Sequence, residues 1–290
     1  YNYKNVGEVE NKGFEATLGV DIIKNKDWNW NVSANIATNK NKIKKLYGDK
    51  SEIIINNAQS GIVGPADKIL KPGYDIDSWY TTEWAGVDPA NGDPLWYMTD
   101  EDGKRVKTNK YALASKNPVI CGSSNPDFYG GFSTSLSWKN FDLSAIFGYS
   151  VGGKIYNYMR MEFDSDGAYT DRNQMKLKDG WSRWEKEGDI ATHPKAVYGN
   201  TSNSNSVSSR YLETASYLRL RNLTIGYNIP VKKYINQLRV YVSGENLFVV
   251  SGFSGIDPEV PPLNNGAGTG VASSVYPQTR KFMLGLNMSL

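Results

Sequence analysis

The 290-residue sequence is poor in the groups that carry most protein chemistry: Cys121 is its only cysteine and His193 its only histidine. One thiol closes no intrachain disulfide and builds no cysteine-rich metal site. A Ser-His-Asp triad or a zinc centre would have to be built around His193. That residue stands in the polar stretch "IATHPKAVYG" and is expected to be a surface histidine. No catalytic residue, metal ligand or cofactor is therefore assigned. Also missing is any apolar run approaching the about 18 residues of a membrane-crossing helix, and mean hydropathy is −0.52. Charge of one sign is missing too: 33 basic against 30 acidic residues give a net +3 and no pointer to nucleic acid. The short "NKNKIKK" stretch (Asn39–Lys45) is expected to be a solvated loop face. Finally, the chain opens on Tyr1 with neither an initiator methionine nor a basic leader, so residue 1 is expected not to be the native start.

What is present is alternation. Phe14, Ala16, Leu18, Val20 and Ile22 are interleaved with Glu15, Thr17, Gly19 and Asp21; after "KNKD", Trp28, Trp30, Val32, Ala34 and Ile36 repeat the pattern. Two runs of period two across a tight polar turn read as a β-hairpin. A second hairpin turns at Lys139–Asn140, with Phe132, Leu136 and Trp138 before it and Phe141, Leu143, Ala145 and Phe147 after. A third joins 215–229 to 236–249. Its apolar sets Leu218/Leu220 and Leu223/Ile225/Tyr227 are one residue out of phase, which predicts a β-bulge near Arg221–Asn222. The last segment alternates from Phe282 through Leu284, Leu286 and Met288 to Leu290. Aromatic-rich segments flanking Asp88–Asp93 are expected to form a further strand pair, Asp100–Asp102 a charged turn, and "NQMKLKDGWSRWEKEG" a short helix.

The clear hairpins share short turns at one end, whereas the segments near 38–75, 100–127, 151–214 and 250–277 are long and rich in Gly, Ser, Asn and Tyr. Outer-membrane barrels have this asymmetry. A lipid-facing exterior needs only about 9–11 alternating residues per strand, and Trp28, Trp138, Phe141 and Tyr227 beside the short turns suit an interfacial girdle. The pattern thus favours an all-β, antiparallel transmembrane barrel segment of about nine strands. A soluble carbohydrate-binding sandwich gives the same alternation with the apolar side inward, and a glycosidase built on paired carboxylates remains an unspecific third reading. In the barrel, Glu15, Asp21, Asp142, Arg219, Arg221, Arg239 and Glu245 are expected to face the lumen.

The blocks "NVGEVENKGFEATLGV", "WAGVDPANGDPLWY", "NPDFYGGFSTSLSWKNFDLSAIFGYSVGGKIYN", "TASYLRLRNLTIGYNIP", "LRVYVSGENLFVVSGFSGIDPEV" and "YPQTRKFMLGLNMSL" resemble the C-terminal third of SusC/RagA-type TonB-dependent outer-membrane transporters. The resemblance implies that residues 1–290 are part of a barrel of about 22 strands, with the plug domain and N-terminal strands outside this chain. It implies a Gram-negative outer-membrane location with a periplasmic C-terminus. It also implies partners: the remainder of the transporter, a SusD-like lipoprotein lid, the TonB complex, and an oligosaccharide or peptide substrate. Within the 151–214 loop, Tyr156, Tyr158, Arg160, Asp164, Asp166, Tyr169, Asp171, Trp181, Trp184 and Tyr211 are the expected ligand or lid contacts.

Overall fold

Alternation of large apolar with small or polar residues makes one face of each strand greasy and the other wet, and every long alternating run of the sequence becomes a strand of one sheet. The computed structural model describes residues 7–55, 66–231, 235–259, 270–273 and 276–289. The strands of its main sheet are β1 (Glu8–Lys24), β2 (Trp28–Lys45), β3 (Phe128–Trp138), β4 (Phe141–Val151), β5 (Tyr217–Ile229), β6 (Gln237–Ser251) and β7 (Lys281–Ser289). They pair in sequence order, each antiparallel to the next, as a seven-stranded meander. Leu290, the last member of the terminal alternation, lies outside the described residues.

The short turns all fall at one end. Asn25 Oδ1 accepts from the amides of Asp27 and Trp28, which closes the first turn. Lys139 takes a left-handed φ of 53°, which a two-residue hairpin turn demands. Neighbouring turns are laced together: Lys139 N donates to Asp27 O at 2.9 Å and Asn228 N to Asn140 O at 2.8 Å. Beside them Trp28 stacks on Trp138, Trp138 on Phe141, and Phe141 leans on Tyr227, a row of rings across four strands.

The expected bulge is present. Register breaks between Leu220 and Asn222 against β6, and between Ile146 and Phe147 against β4, with Arg221 left unpaired. The break returns Leu218 and Leu220 to the outer face that Leu223 and Ile225 share.

Among the described residues the main sheet has seven strands, not about nine. The strands flanking Asp88–Asp93 exist, Trp84–Val87 and Pro94–Thr99, but they pair with Arg105–Thr108 in a separate three-stranded sheet. β2 instead pairs directly with β3. Asn39–Lys45 is also strand rather than loop: β2 continues to Lys45, and Lys40 stands opposite Lys12. Ile43 explains the extension, since it is buried and its backbone bonds Gly73 and Tyr74 of the following loop. The expected helix at 173–188 is absent; the chain there is held by side chains, and the helix of this loop is Tyr158–Phe163, capped by Asn157.

The long connections carry a second layer of structure at the opposite end from the short turns. A four-stranded sheet runs Ile53–Ile55, Asp67–Leu70, Ser78–Thr81 and Val119–Ser123, and a small one joins Leu212–Thr214, Lys154–Asn157 and Val271–Ala272. Between them Trp79, Tyr156, Met161, Tyr211 and Val271 form a buried core. The main sheet has no such cover. Leu18 is 68% exposed and Leu286 62%, so its apolar face is not packed against a second layer and the sandwich reading fails.

Candidate functional site

The polar side of the main sheet is a wall of ion pairs. Near the short turns Arg239 grips Asp142 with two bonds, Nε to Oδ1 at 2.9 Å and Nη2 to Oδ2 at 2.5 Å. The pair lies directly over Gly226, where a Cβ would meet Arg239 and Asp142 atoms at 2.5–2.6 Å. Near the long loops Arg219 is buried and bonds Asp257 and Glu259, and Arg221, turned by the bulge, bonds Glu259, which also accepts from Tyr217. Both carboxylates come from the chain after β6, so this cluster holds that connection against the wall. The rest of the expected lumen set is looser. Asp21 accepts from Asn31 and Lys24, Glu245 meets Lys281 at 3.4 Å, and Glu15 has no ionic partner among the described residues.

The long-loop end holds a second network. Asp164 and Asp166 are completely buried. Asp164 Oδ2 takes His193 Nε2 at 2.8 Å, Arg160 Nε at 3.2 Å and Arg210 Nη2 at 3.3 Å. Asp166 takes Arg210 at 2.5 Å, Arg183 at 2.6 Å and the Ser204 hydroxyl at 2.6 Å. Arg160 also donates to Glu213 and lies 4.3 Å under the Trp181 ring. Burial pushes the Asp164 carboxyl up, but the His193 hydrogen bond and the Arg210 and Arg160 charges outweigh it and hold the group at about 2. This network ties loop segments 44 and 46 residues apart and spends most of its donors and acceptors internally; among the described residues, Asp164 Oδ1 and Arg210 Nε are buried without a hydrogen-bond partner.

This sorts the expected contacts. Tyr156, Arg160, Asp164, Asp166 and Tyr211 are brought together, but in the interior of the loop layer. Trp181 covers Arg160 and leans on His193. Trp184 packs on Gly92 and donates to Pro89 O, tying this loop to the 84–99 hairpin. Tyr158 bonds Glu162 and Tyr169 lies against Arg172, while Asp171 is exposed. His193 corrects the sequence reading: it is completely buried, between Asp164 and Thr192. Arg183, Arg210, Glu213, Asp257 and Glu259 carry no local sequence signal, because each finds its partner across a loop.

Several clefts open in the loop layer. One of about 580 Å³ is lined mostly by polar residues, among them Asp93, Asn109, Tyr111, Lys195 and Ser202. Another, of about 290 Å³, is mostly apolar, between Met159, Phe163, Met175 and Ile256.

No protein-family model matches the chain. It is 32% identical over 309 residues to TonB-dependent receptor P3 of Formosa agariphila, covering 98% of this chain and 29% of that one. It is 28% identical over 295 residues to TonB-dependent receptor SusC of Bacteroides thetaiotaomicron, covering 98% and 27%. The RagAB peptide importer in its closed-closed state superposes with a TM-score of 0.78 at 32% identity, over 99% of this chain and 30% of that one. The chain thus spans under a third of the length of these relatives. All are named as receptors or importers, not as enzymes. The bare apolar face is therefore a lipid face, the meander is a segment of a transmembrane β-barrel, and the chain belongs to the family of SusC/RagA-type TonB-dependent receptors.

Proposed function

We propose that residues 1–290 form the C-terminal part of an outer-membrane barrel that imports an oligomeric nutrient in a TonB-dependent manner. The observation that carries this is the seven-strand meander with a lipid-ready outer face, an ion-paired inner face and every long connection at one end. The C-terminus is then periplasmic, because β7 runs from the long-loop end toward the short-turn end and short turns of such barrels are periplasmic. The plug and remaining strands belong to the rest of the transporter, a SusD-like lipoprotein caps the long loops, and the energy-transducing TonB complex engages outside this chain.

For the substrate we propose an oligosaccharide. The polar cleft presents Asp93, Asn109, Lys195 and Ser202 around the Tyr111 ring, groups that match hydroxyls and a sugar's C–H face. Asp93 is already ordered by Lys195 at 2.9 Å and Asn109 at 2.9 Å. An oligopeptide is the second reading, favoured by the likeness to the RagAB peptide importer. Growth of a strain lacking the gene on single glycans and on defined peptides decides between them. Loss of growth on one glycan, restored by the gene but not by a version with Asp93→Ala and Asn109→Ala, is the expected result. Loss on peptides alone overturns the glycan reading.

A further inference from the structure

On the outer face of β1 and β2 the phase that carries Phe14 and Ile36 continues upward past the apolar band. The even-numbered positions become Lys12 and Glu10 on β1, and Thr38, Lys40 and Lys42 on β2, up to a register shift at which Glu8 pairs with Lys45 and Lys44 is left unpaired in the ladder. Phe14 is 62% exposed and is the uppermost apolar residue of this series on β1. Lys12 stands one outward position above it, a rise of roughly 5 Å along a tilted strand; Lys40 is its direct partner on β2, and Lys42 stands one outward position beyond Lys40. That height is the headgroup region, which adds about 5–8 Å to each side of the hydrocarbon core.

Only part of this lysine cluster is salt-bridged. Lys12 and Lys40 are direct cross-strand partners, a like-charge pairing that destabilises a sheet when nothing intervenes. Glu10 is shared by Lys12 at 3.1 Å and Lys44 at 3.3 Å. Lys40 and Lys42 have no ionic partner among the described residues, and both are exposed. Together with Glu10, Lys12, Thr38 and Gly73 they line a cleft of about 470 Å³, completed by Gly13 and Asn41 of the other phase. The carboxylates at hand, Glu8 and Glu10, leave the cluster with an excess of positive charge.

We propose that this cleft is a binding site for the phosphate of a membrane lipid in the leaflet at the long-loop end. The acyl chains of such a lipid lie along Phe14, Leu18 and Ile36, and its phosphate sits between Lys12, Lys40 and Lys42. Lysine suits this task as a compact point charge on a long stem that lifts its head from the apolar surface to the interface. The inference rests on the membrane reading above. It explains why a strand pair keeps like charges opposite each other above a bilayer, where an anion of the other phase neutralises them.

The test uses the intact transporter purified in detergent from outer membranes, with bis-phosphorylated lipid A as probe and the dephosphorylated lipid and inorganic phosphate as comparisons. Binding is read by native mass spectrometry. Phosphorylated lipid is expected to bind more tightly than the dephosphorylated form, and Lys40→Gln and Lys42→Gln are each expected to weaken it about fivefold. Wild-type affinity in the Lys12→Gln/Lys40→Gln/Lys42→Gln protein overturns the site, and displacement by equimolar inorganic phosphate overturns its assignment to lipid. Failure of the membrane reading shows separately, as a protein recovered monodisperse without detergent.

Discussion

Asp164 and Asp166 show how a loop charge becomes structural. Both are completely buried and each takes at least two charged donors, so removing one arginine leaves buried negative charge under-compensated. Arg210 bonds both, and Arg210→Met is expected to destabilise the loop layer by about 3–5 kcal/mol. Limited trypsin digestion reads this as faster nicking within 167–209 while the barrel strands stay protected. The same network predicts an acid step. Asp164 is held at about 2, below its unfolded value of about 3.9. A carboxyl lowered by folding contributes stability that is complete above the unfolded value and is lost as pH falls toward 2. Pepsin is therefore expected to leave the loop intact near pH 4.5 and to nick it progressively toward pH 2. In Asp164→Asn the loop is nicked throughout that range; identical profiles for the two proteins would count against the assignment. The sequence showed these residues as a cluster of rings and charges in a long loop, but not their direction. A tyrosine that packs its own loop and one that faces a ligand are the same letter in the same context, and the burial of Tyr156, Tyr211 and His193 is decided by Trp79, Trp181 and other residues far along the chain.

At the scale of the strand, legibility was high where one face meets lipid and low elsewhere. The alternation placed the hairpin turn at Lys139–Asn140 and the bulge beside Arg221, because a one-residue slip would turn every apolar side chain to the wrong side. It did not place the top of β2, since Lys40, Lys42 and Lys44 have no apolar face to declare; that ribbon is fixed by pairing and by Ile43 beneath it. Nor did it separate the Trp84–Val87 and Pro94–Thr99 strands from the barrel, because a short aromatic strand reads alike in either setting. The 11 residues of β3, at about 3.3 Å each and tilted about 40°, rise roughly 25 Å, the height of an outer-membrane apolar band. Val242 sits midway along β6 between Ile225 and Leu284 and is 55% exposed. Val242→Arg is expected to cost about 2–4 kcal/mol in lipid vesicles. Ser135→Arg, on the inner face of β3, is expected to cost under about 1 kcal/mol. Urea titrations of the vesicle-inserted protein, scored by heat-modifiable migration, compare the two; equal costs would mean that the faces are assigned the wrong way round.

Across the whole molecule the decisive fact is that seven is odd. Each strand is antiparallel to its neighbour, so β1 and β7 run in the same direction. A sheet that closed on itself here would need one parallel pair in an otherwise antiparallel ring. In a bilayer both edges must be bonded, because an unpaired strand edge leaves a row of amides and carbonyls in hydrocarbon at several kcal/mol per group. The edges are expected to be paired by further strands of a larger wall, in which seven strands make up a share similar to the 29–30% of the relatives' length that this chain matches. Cysteine pairs on the inner face make this measurable. Ser135 and Ser144 are direct partners on β3 and β4, so Ser135→Cys with Ser144→Cys is expected to cross-link efficiently with a short bis-maleimide in the intact protein. Thr17→Cys with Asn287→Cys, on β1 and β7, is expected to give no cross-link above background with the same reagent, while the sole native thiol, Cys121, is kept out of the reaction by Cys121→Ser. A strong link between positions 17 and 287 would mean that these two strands are neighbours. Closure would then lie within this chain, and the wall would be complete without the missing strands.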